Sequence, residues 1–133
     1  MVNAQEQLSV LVHLSQADHK VVSSEIELIG YLGRMRGLNS GEIRELLDAP
    51  PEIPSFEHIS DSRKFEYLLE MVQLMKIDGK ISQSEIKFCK KIAGQLGYQA
   101  IVVRELSCYV YSDPGVVTDR NFLEQLANKY RKN

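Results

Sequence analysis

Two acidic segments of the chain share one spacing, an aspartate followed by six residues and a glutamate. The pairs are Asp18 with Glu25 and Asp78 with Glu85. This spacing allows a loop carboxylate and a carboxylate in the first turn of the next helix to converge at the helix N-terminus. One pair offers too few ligands for a hard cation, whereas four carboxylates with water suffice for Ca²⁺, Mg²⁺ or Mn²⁺. We therefore predict that the four lie at one end of the molecule and share a divalent cation.

The second segment, DGKISQSE, matches the later half of an EF-hand calcium loop. Gly79 falls where that loop turns, and Glu85 falls where a glutamate closes on the ion. The first two ligand positions of such a loop are Leu74 and Lys76, which supply no carboxylate, so a standard EF-hand is excluded. In the first segment His19 replaces the glycine, and its imidazole would shift the preference toward Zn²⁺ or Mn²⁺.

The same carboxylates have an alternative role that needs no metal. Each aspartate can accept hydrogen bonds from N–H groups of its loop, and each glutamate can cap its own helix. Ser82 and Glu85 have the spacing of a capping box, in which each side chain binds the backbone N–H of the other residue. The sequence alone leaves both roles open.

No enzymatic activity is expected. The chain has no Gly-rich phosphate loop and no CxxC, GxSxG or HExxH motif. His13 lies within a predicted helix and is expected to be a partly exposed surface residue, while His58 has no acidic or cysteine partner at ligand spacing.

The acidic segments belong to an internal repeat. Residues 6–46 align without a gap with residues 66–106, and 13 of the 41 aligned positions are identical. Apolar residues recur at helical spacing on both sides of each segment, and Gly37 and Gly97 stand where two of these helices should end. We predict an all-α fold, a single compact bundle of about seven helices built from a duplicated three-helix unit.

We expect residues 1–133 to form one domain. The segment 48–60 contains three prolines and is predicted to link the repeats, and a last helix is predicted over about 118–131, capped by Thr118 or Asp119. The apolar face of the second predicted helix is expected to include Ile26, Ile29 and Leu32. Cys89 and Cys108 are predicted to be reduced thiols in the core.

Composition excludes two classes of function. Sixteen Lys and Arg against eighteen Asp and Glu give a net charge of -2, so we expect no nucleic-acid binding. No long apolar window is present, and residues 1–20 lack the pattern of a signal peptide, so we expect a cytoplasmic protein without a membrane span.

The two segments LVHLSQADHKVVSSEIELIGYLGRMRGL and LEMVQLMKIDGKISQSEIKFCKKIAGQLGY resemble the TerB and TerB-like domains of bacterial tellurite resistance. The resemblance covers most of the chain, and its most specific element is an apolar helix that runs into DGKISxxE and is followed by a helix ending in LGY. It implies an all-helical, cytoplasmic, non-enzymatic protein that acts through partners, often near the inner membrane. The duplicated acidic spacing is similar to the positions on which that family's proposed divalent-metal site rests. His19 departs from the pattern.

We therefore expect a non-enzymatic stress or tellurite-resistance module that binds Ca²⁺, Mg²⁺, Mn²⁺ or Zn²⁺ through its repeated acidic loops. Its partners would be proteins, among them membrane-associated resistance or chaperone components. The alternative is a metal-independent protein-interaction or co-chaperone-like scaffold, in which the acidic loops serve only as caps. Melting temperatures with and without added metal would separate the two functions.

Overall fold

The computed structural model describes residues 4–17, 23–77, 81–110 and 119–132. These residues form seven helices and no β-strand, and an isolated antiparallel bridge joins Tyr98 to Arg131. The helices are α1 (Ala4–Ser15), α2 (Ser23–Met35), α3 (Ser40–Asp48), α4 (Asp61–Lys76), α5 (Gln83–Gln95), α6 (Ile101–Ser107) and α7 (Arg120–Asn128). The prediction of an all-α fold is confirmed. None of the helices in the described ranges combines the length and apolar character needed to cross a bilayer.

Local side-chain caps start several of these helices. Asn39 and Glu42 form a capping box at α3, and Ser82 and Glu85 form another at α5. The side chain of Asp119, one of the two caps that the sequence predicted, accepts the Asn121 N–H at the start of α7. These bonds satisfy N–H groups that the first turn of a helix leaves without an intrahelical partner.

Glycines end α2 and α5 in the same way. Gly37 and Gly97 have φ angles of 89° and 95°, in the left-handed region that favours glycine. After them, the Leu38 and Tyr98 N–H groups donate to carbonyls five residues earlier, each at 2.9 Å. This is the Schellman arrangement, which turns the chain sharply toward the next helix.

Helix α1 lies at the centre of the fold. It packs against α2, α3, α4 and α5, and eight of its twelve residues are buried. The helix is therefore covered on nearly all sides. Its buried hydroxyls are paired locally, because Ser9 donates to the Glu6 carbonyl and Ser15 to the Val12 carbonyl.

One cluster of buried apolar side chains draws residues from all seven helices. The segment between α3 and α4 joins this core through Phe56, whose ring packs edge-on against Tyr67 at 5.2 Å between centroids. Two residues predicted to be buried are not. Ile26 is 40% exposed because the buried side of α2 passes through Glu25, Leu28 and Ile29, and Ile26 lies beside it. Cys108 is exposed because it lies just past the end of α6, while Cys89 is buried as predicted.

Candidate functional site

Glu25 and Glu85 lie in the first turns of α2 and α5. Their exposures are only 3% and 5%, and they are the only charged residues in the described part of the chain that are buried. Glutamate is almost never fully buried unless it is paired. The structure therefore singles out the two glutamates that the repeated spacing selected.

The geometry at Glu85 is that of the predicted capping box. Its Oε1 accepts the Ser82 N–H at 3.1 Å, and the Ser82 hydroxyl oxygen accepts the Glu85 N–H at the same distance. The cap uses Oε1 alone. One turn further along α5, burial raises the pKa of the Cys89 thiol, and the negative charge of Glu85 adds to the effect. The Glu85 carboxylate thus affects the titration of a buried thiol and also caps the start of α5.

The other two predicted ligands, Asp18 and Asp78, lie outside the described residues, as does His19. Within the described ranges, no group of three or more His, Cys, Asp or Glu side chains is placed to hold a metal. The shared site of four carboxylates therefore stays a prediction.

Lys76, which prevented an EF-hand assignment, has a structural partner. Its ammonium group donates to the carbonyls of Ser107, the last residue of α6, and of Val110, three residues beyond it. In the first half of the chain, Gln16 Nε2 donates to the Leu47 carbonyl at 3.1 Å, near the end of α3. Gln16, just after α1, therefore ties α1 to α3, and Lys76, the last residue of α4, ties α4 to the end of α6.

A second polar group was not predicted from the sequence. It is here named the α4 polar cluster and consists of Gln7, Arg36, Arg63, Glu66, Tyr67 and Glu70. Arg36, one residue past α2, forms an ion pair with Glu70. Gln7 donates to Glu66 Oε2 at 3.3 Å and accepts from Arg63 Nη1 at 2.9 Å. In the sequence, the charged residues of this cluster have the pattern of the solvent-exposed face of a helix. Only the tertiary structure brings them together.

Burial changes the titration of two members of this cluster. It raises the pKa of Glu70, an effect that the nearby Arg36 guanidinium opposes. It also raises the pKa of Tyr67 to about 12, with a further contribution from the Glu6 carboxylate. Both groups therefore favour their neutral forms more strongly than they would in water.

The two described histidines, His13 and His58, form no metal site with the described carboxylates. His13 is partly exposed, as expected, and its Nε2 lies 2.8 Å from the Pro51 carbonyl oxygen. His58 is exposed and lines an open cavity of about 310 Å³ together with Glu6 and Arg63. The contact between His13 Nε2 and the Pro51 carbonyl holds the segment between α3 and α4 against α1.

Comparison with models of protein families, with curated proteins and with solved structures finds no match to this chain. The strongest geometric observation is the burial of Glu25 and Glu85 at helix starts.

Proposed function

We propose that this protein is a non-enzymatic module that binds a divalent cation through its two acidic loops and acts through protein partners in stress or tellurite resistance, as the likeness to TerB domains implies. The observation that carries the proposal is the burial of Glu25 and Glu85, each seven positions after an aspartate. Taking a carboxylate out of water is costly unless a positive group compensates. None of the ion pairs between described residues includes Glu85, and a bound cation would supply the missing charge.

The proposed site is part of a duplicated three-helix unit, α1–α3 and α4–α6. Three correspondences at an offset of 60 support the duplication. The bounds of α2 and α5 differ by 60 at both ends, and the Schellman hydrogen bonds after Gly37 and Gly97 join equivalent residues. The bonds from Gln16 to Leu47 and from Lys76 to Ser107 also join equivalent positions. Such a repeat would present its two acidic loops in matching environments.

Thermal unfolding tests the metal function. The protein is melted in EDTA and then with excess Ca²⁺, Mg²⁺, Mn²⁺ or Zn²⁺. A cation present at about 100 times its dissociation constant should add roughly 2.7 kcal/mol to the unfolding free energy, equivalent to a rise in Tm of roughly 10 °C for a domain of this size. If none of the four cations raises the Tm, the metal function is wrong.

Two matched variants separate metal binding from helix capping. Glutamine can replace glutamate in a capping box, so Glu85→Gln keeps the cap but removes the charge. Glu42→Gln makes the same change in the box at α3, outside the proposed site. The first variant should lose the metal-induced rise in Tm and the second should keep it. Asp18→Asn and Asp78→Asn should also lose it, while equal metal responses in all four variants would contradict the assignment.

The second candidate is a metal-independent scaffold that docks protein partners, and the exposed side of α2 favours it. Tyr31 and Met35 are 54% and 67% exposed and lie one turn apart. Exposed aromatic and methionine side chains are typical of protein interfaces. This function predicts no response to any cation, and it predicts that Tyr31→Ser with Met35→Ser leaves the Tm unchanged while weakening partner binding.

A further inference from the structure

Three buried polar atoms of the α4 polar cluster have no hydrogen-bond partner in the described structure. They are Arg36 Nη1, the Tyr67 hydroxyl and Glu70 Oε1. Buried polar groups in folded proteins are paired in the great majority of cases, with protein atoms or with ordered water. Three such atoms in one cluster therefore indicate a common partner.

The three residues are neighbours. Arg36 and Glu70 form an ion pair through Nη2 and Oε2. Tyr67 and Glu70 lie three positions apart on α4, and side chains at this spacing share one face of a helix. The electrostatic influence of both Arg36 and Glu70 on the Tyr67 hydroxyl agrees with this proximity.

We propose that Arg36, Tyr67 and Glu70 together bind one internal water molecule. The water oxygen accepts a hydrogen bond from Arg36 Nη1, and one water proton is donated to Glu70 Oε1. The Tyr67 hydroxyl makes the third bond, since a hydroxyl can donate or accept. Three hydrogen bonds is the usual number for a buried water in a globular protein.

The charges around the Tyr67 hydroxyl select a neutral ligand. The charged groups that act on it are the carboxylates of Glu6 and Glu70 and the guanidinium groups of Arg36 and Arg63. An anion in this place would be repelled by Glu70, and a cation would be repelled by Arg36. Water has no net charge and can both donate and accept, so it matches a site that offers one obligate donor and one obligate acceptor.

The proposed water would connect the two halves of the chain. Arg36 follows α2, whereas Tyr67 and Glu70 belong to α4. The Arg36–Glu70 ion pair uses one atom of each charged group, and the water would bridge the remaining two atoms.

The sign of the stability change in Tyr67→Phe tests the proposal. If the hydroxyl binds water, its removal should lower the folding equilibrium constant about fivefold, the effect of losing one typical hydrogen bond. If the hydroxyl is unpaired, its removal should raise that constant, and the proposal is wrong. Tyr98→Phe is the matched control, because Tyr98 is equally buried at 2% exposure but lies outside the cluster.

A second measurement counts the internal waters directly in the unmodified protein and in the two variants. Oxygen-17 magnetic relaxation dispersion counts long-lived internal waters, and it should lose one water in Tyr67→Phe but none in Tyr98→Phe. A high-resolution crystal structure should show the water within hydrogen-bond distance of all three side chains. A structure in which Arg36 Nη1 instead bonds directly to Glu70 Oε1 would overturn the proposal.

Discussion

Replacing Gly33 with alanine tests how closely α2 packs against its neighbours. A Cβ at Gly33 would lie 3.0 Å from Ile43 Cγ1, 3.1 Å from Ile43 Cδ1 and 3.4 Å from Leu8 Cδ1. Carbon atoms in favourable contact are about 3.5–4.0 Å apart, so the two side chains must move. Ile43 is only 6% exposed and Leu8 is fully buried, and either would have to shift within a packed core.

Two opposing effects set the magnitude of the change. Alanine is better than glycine in a helix interior by about 0.5–1 kcal/mol. Overpacking a core typically costs about 1–3 kcal/mol. We therefore expect Gly33→Ala to lower the free energy of unfolding by about 1 kcal/mol, measured by urea denaturation with an unchanged m-value.

Gly30→Ala provides the matched control. It lies one turn earlier on α2, and the nearest atoms to an added Cβ belong to the flexible Arg34 guanidinium, at 3.3 Å. This variant should gain about 0.5–1 kcal/mol from helix propensity alone. If Gly33→Ala is stabilising to the same extent, the inferred close packing of α2 is refuted.

The second half of the chain suggests a compensating change. The positions 60 residues beyond Gly33 and Ile43 are Ala93 and Val103, a larger residue and a smaller one. Ile43→Val in the Gly33→Ala background should restore stability close to that of the unchanged protein. The double-mutant cycle should show coupling of about 1 kcal/mol, and strictly additive effects would contradict the argument.

Three further predictions concern single side chains. Ser82→Ala should lower the unfolding free energy by about 1 kcal/mol in urea, because the α5 cap loses its side-chain acceptor; an unchanged midpoint would exclude that role. Between pH 10 and 12 the fold should lose stability, because Tyr67 ionises near its ordinary pKa of 10.0 when unfolded and near 12 when folded. Tyr67→Phe should reduce that loss, and ultraviolet titration should show one fewer late-ionising tyrosine. Cys108 should react with a thiol reagent in the native state, and Cys89 should react only after unfolding. If the native Cys108→Ser variant still reacts rapidly with the reagent, the burial of Cys89 is contradicted.

Helix ends were predictable because their signals are local. Each capping box depends on two residues three positions apart, and Gly37 and Gly97 mark the ends of α2 and α5 through their own backbone conformation. The apolar spacing likewise predicted the helical class. The first-turn positions of Glu25 and Glu85 follow from the same local patterns.

Burial and long-range contacts were not predictable in this way. Four neighbouring helices cover α1, and these contacts join segments far apart in the sequence that no local pattern relates. Ile26 looks like a core residue by spacing, yet its neighbour Glu25 takes the buried position in the first turn of α2. The Arg36–Glu70 pair joins residues 34 positions apart, and no local pattern relates them.

The central position of α1 has a consequence for synthesis of the chain on the ribosome. Two of the helices that cover α1 are α4 and α5, and about 80 residues separate its end at Ser15 from the end of α5 at Gln95. At a synthesis rate of about 5–20 residues per second, one side of α1 stays exposed for roughly 4–16 s, until α5 has been synthesised. During that time its valines and leucines form an apolar surface that a chaperone or another nascent chain can bind.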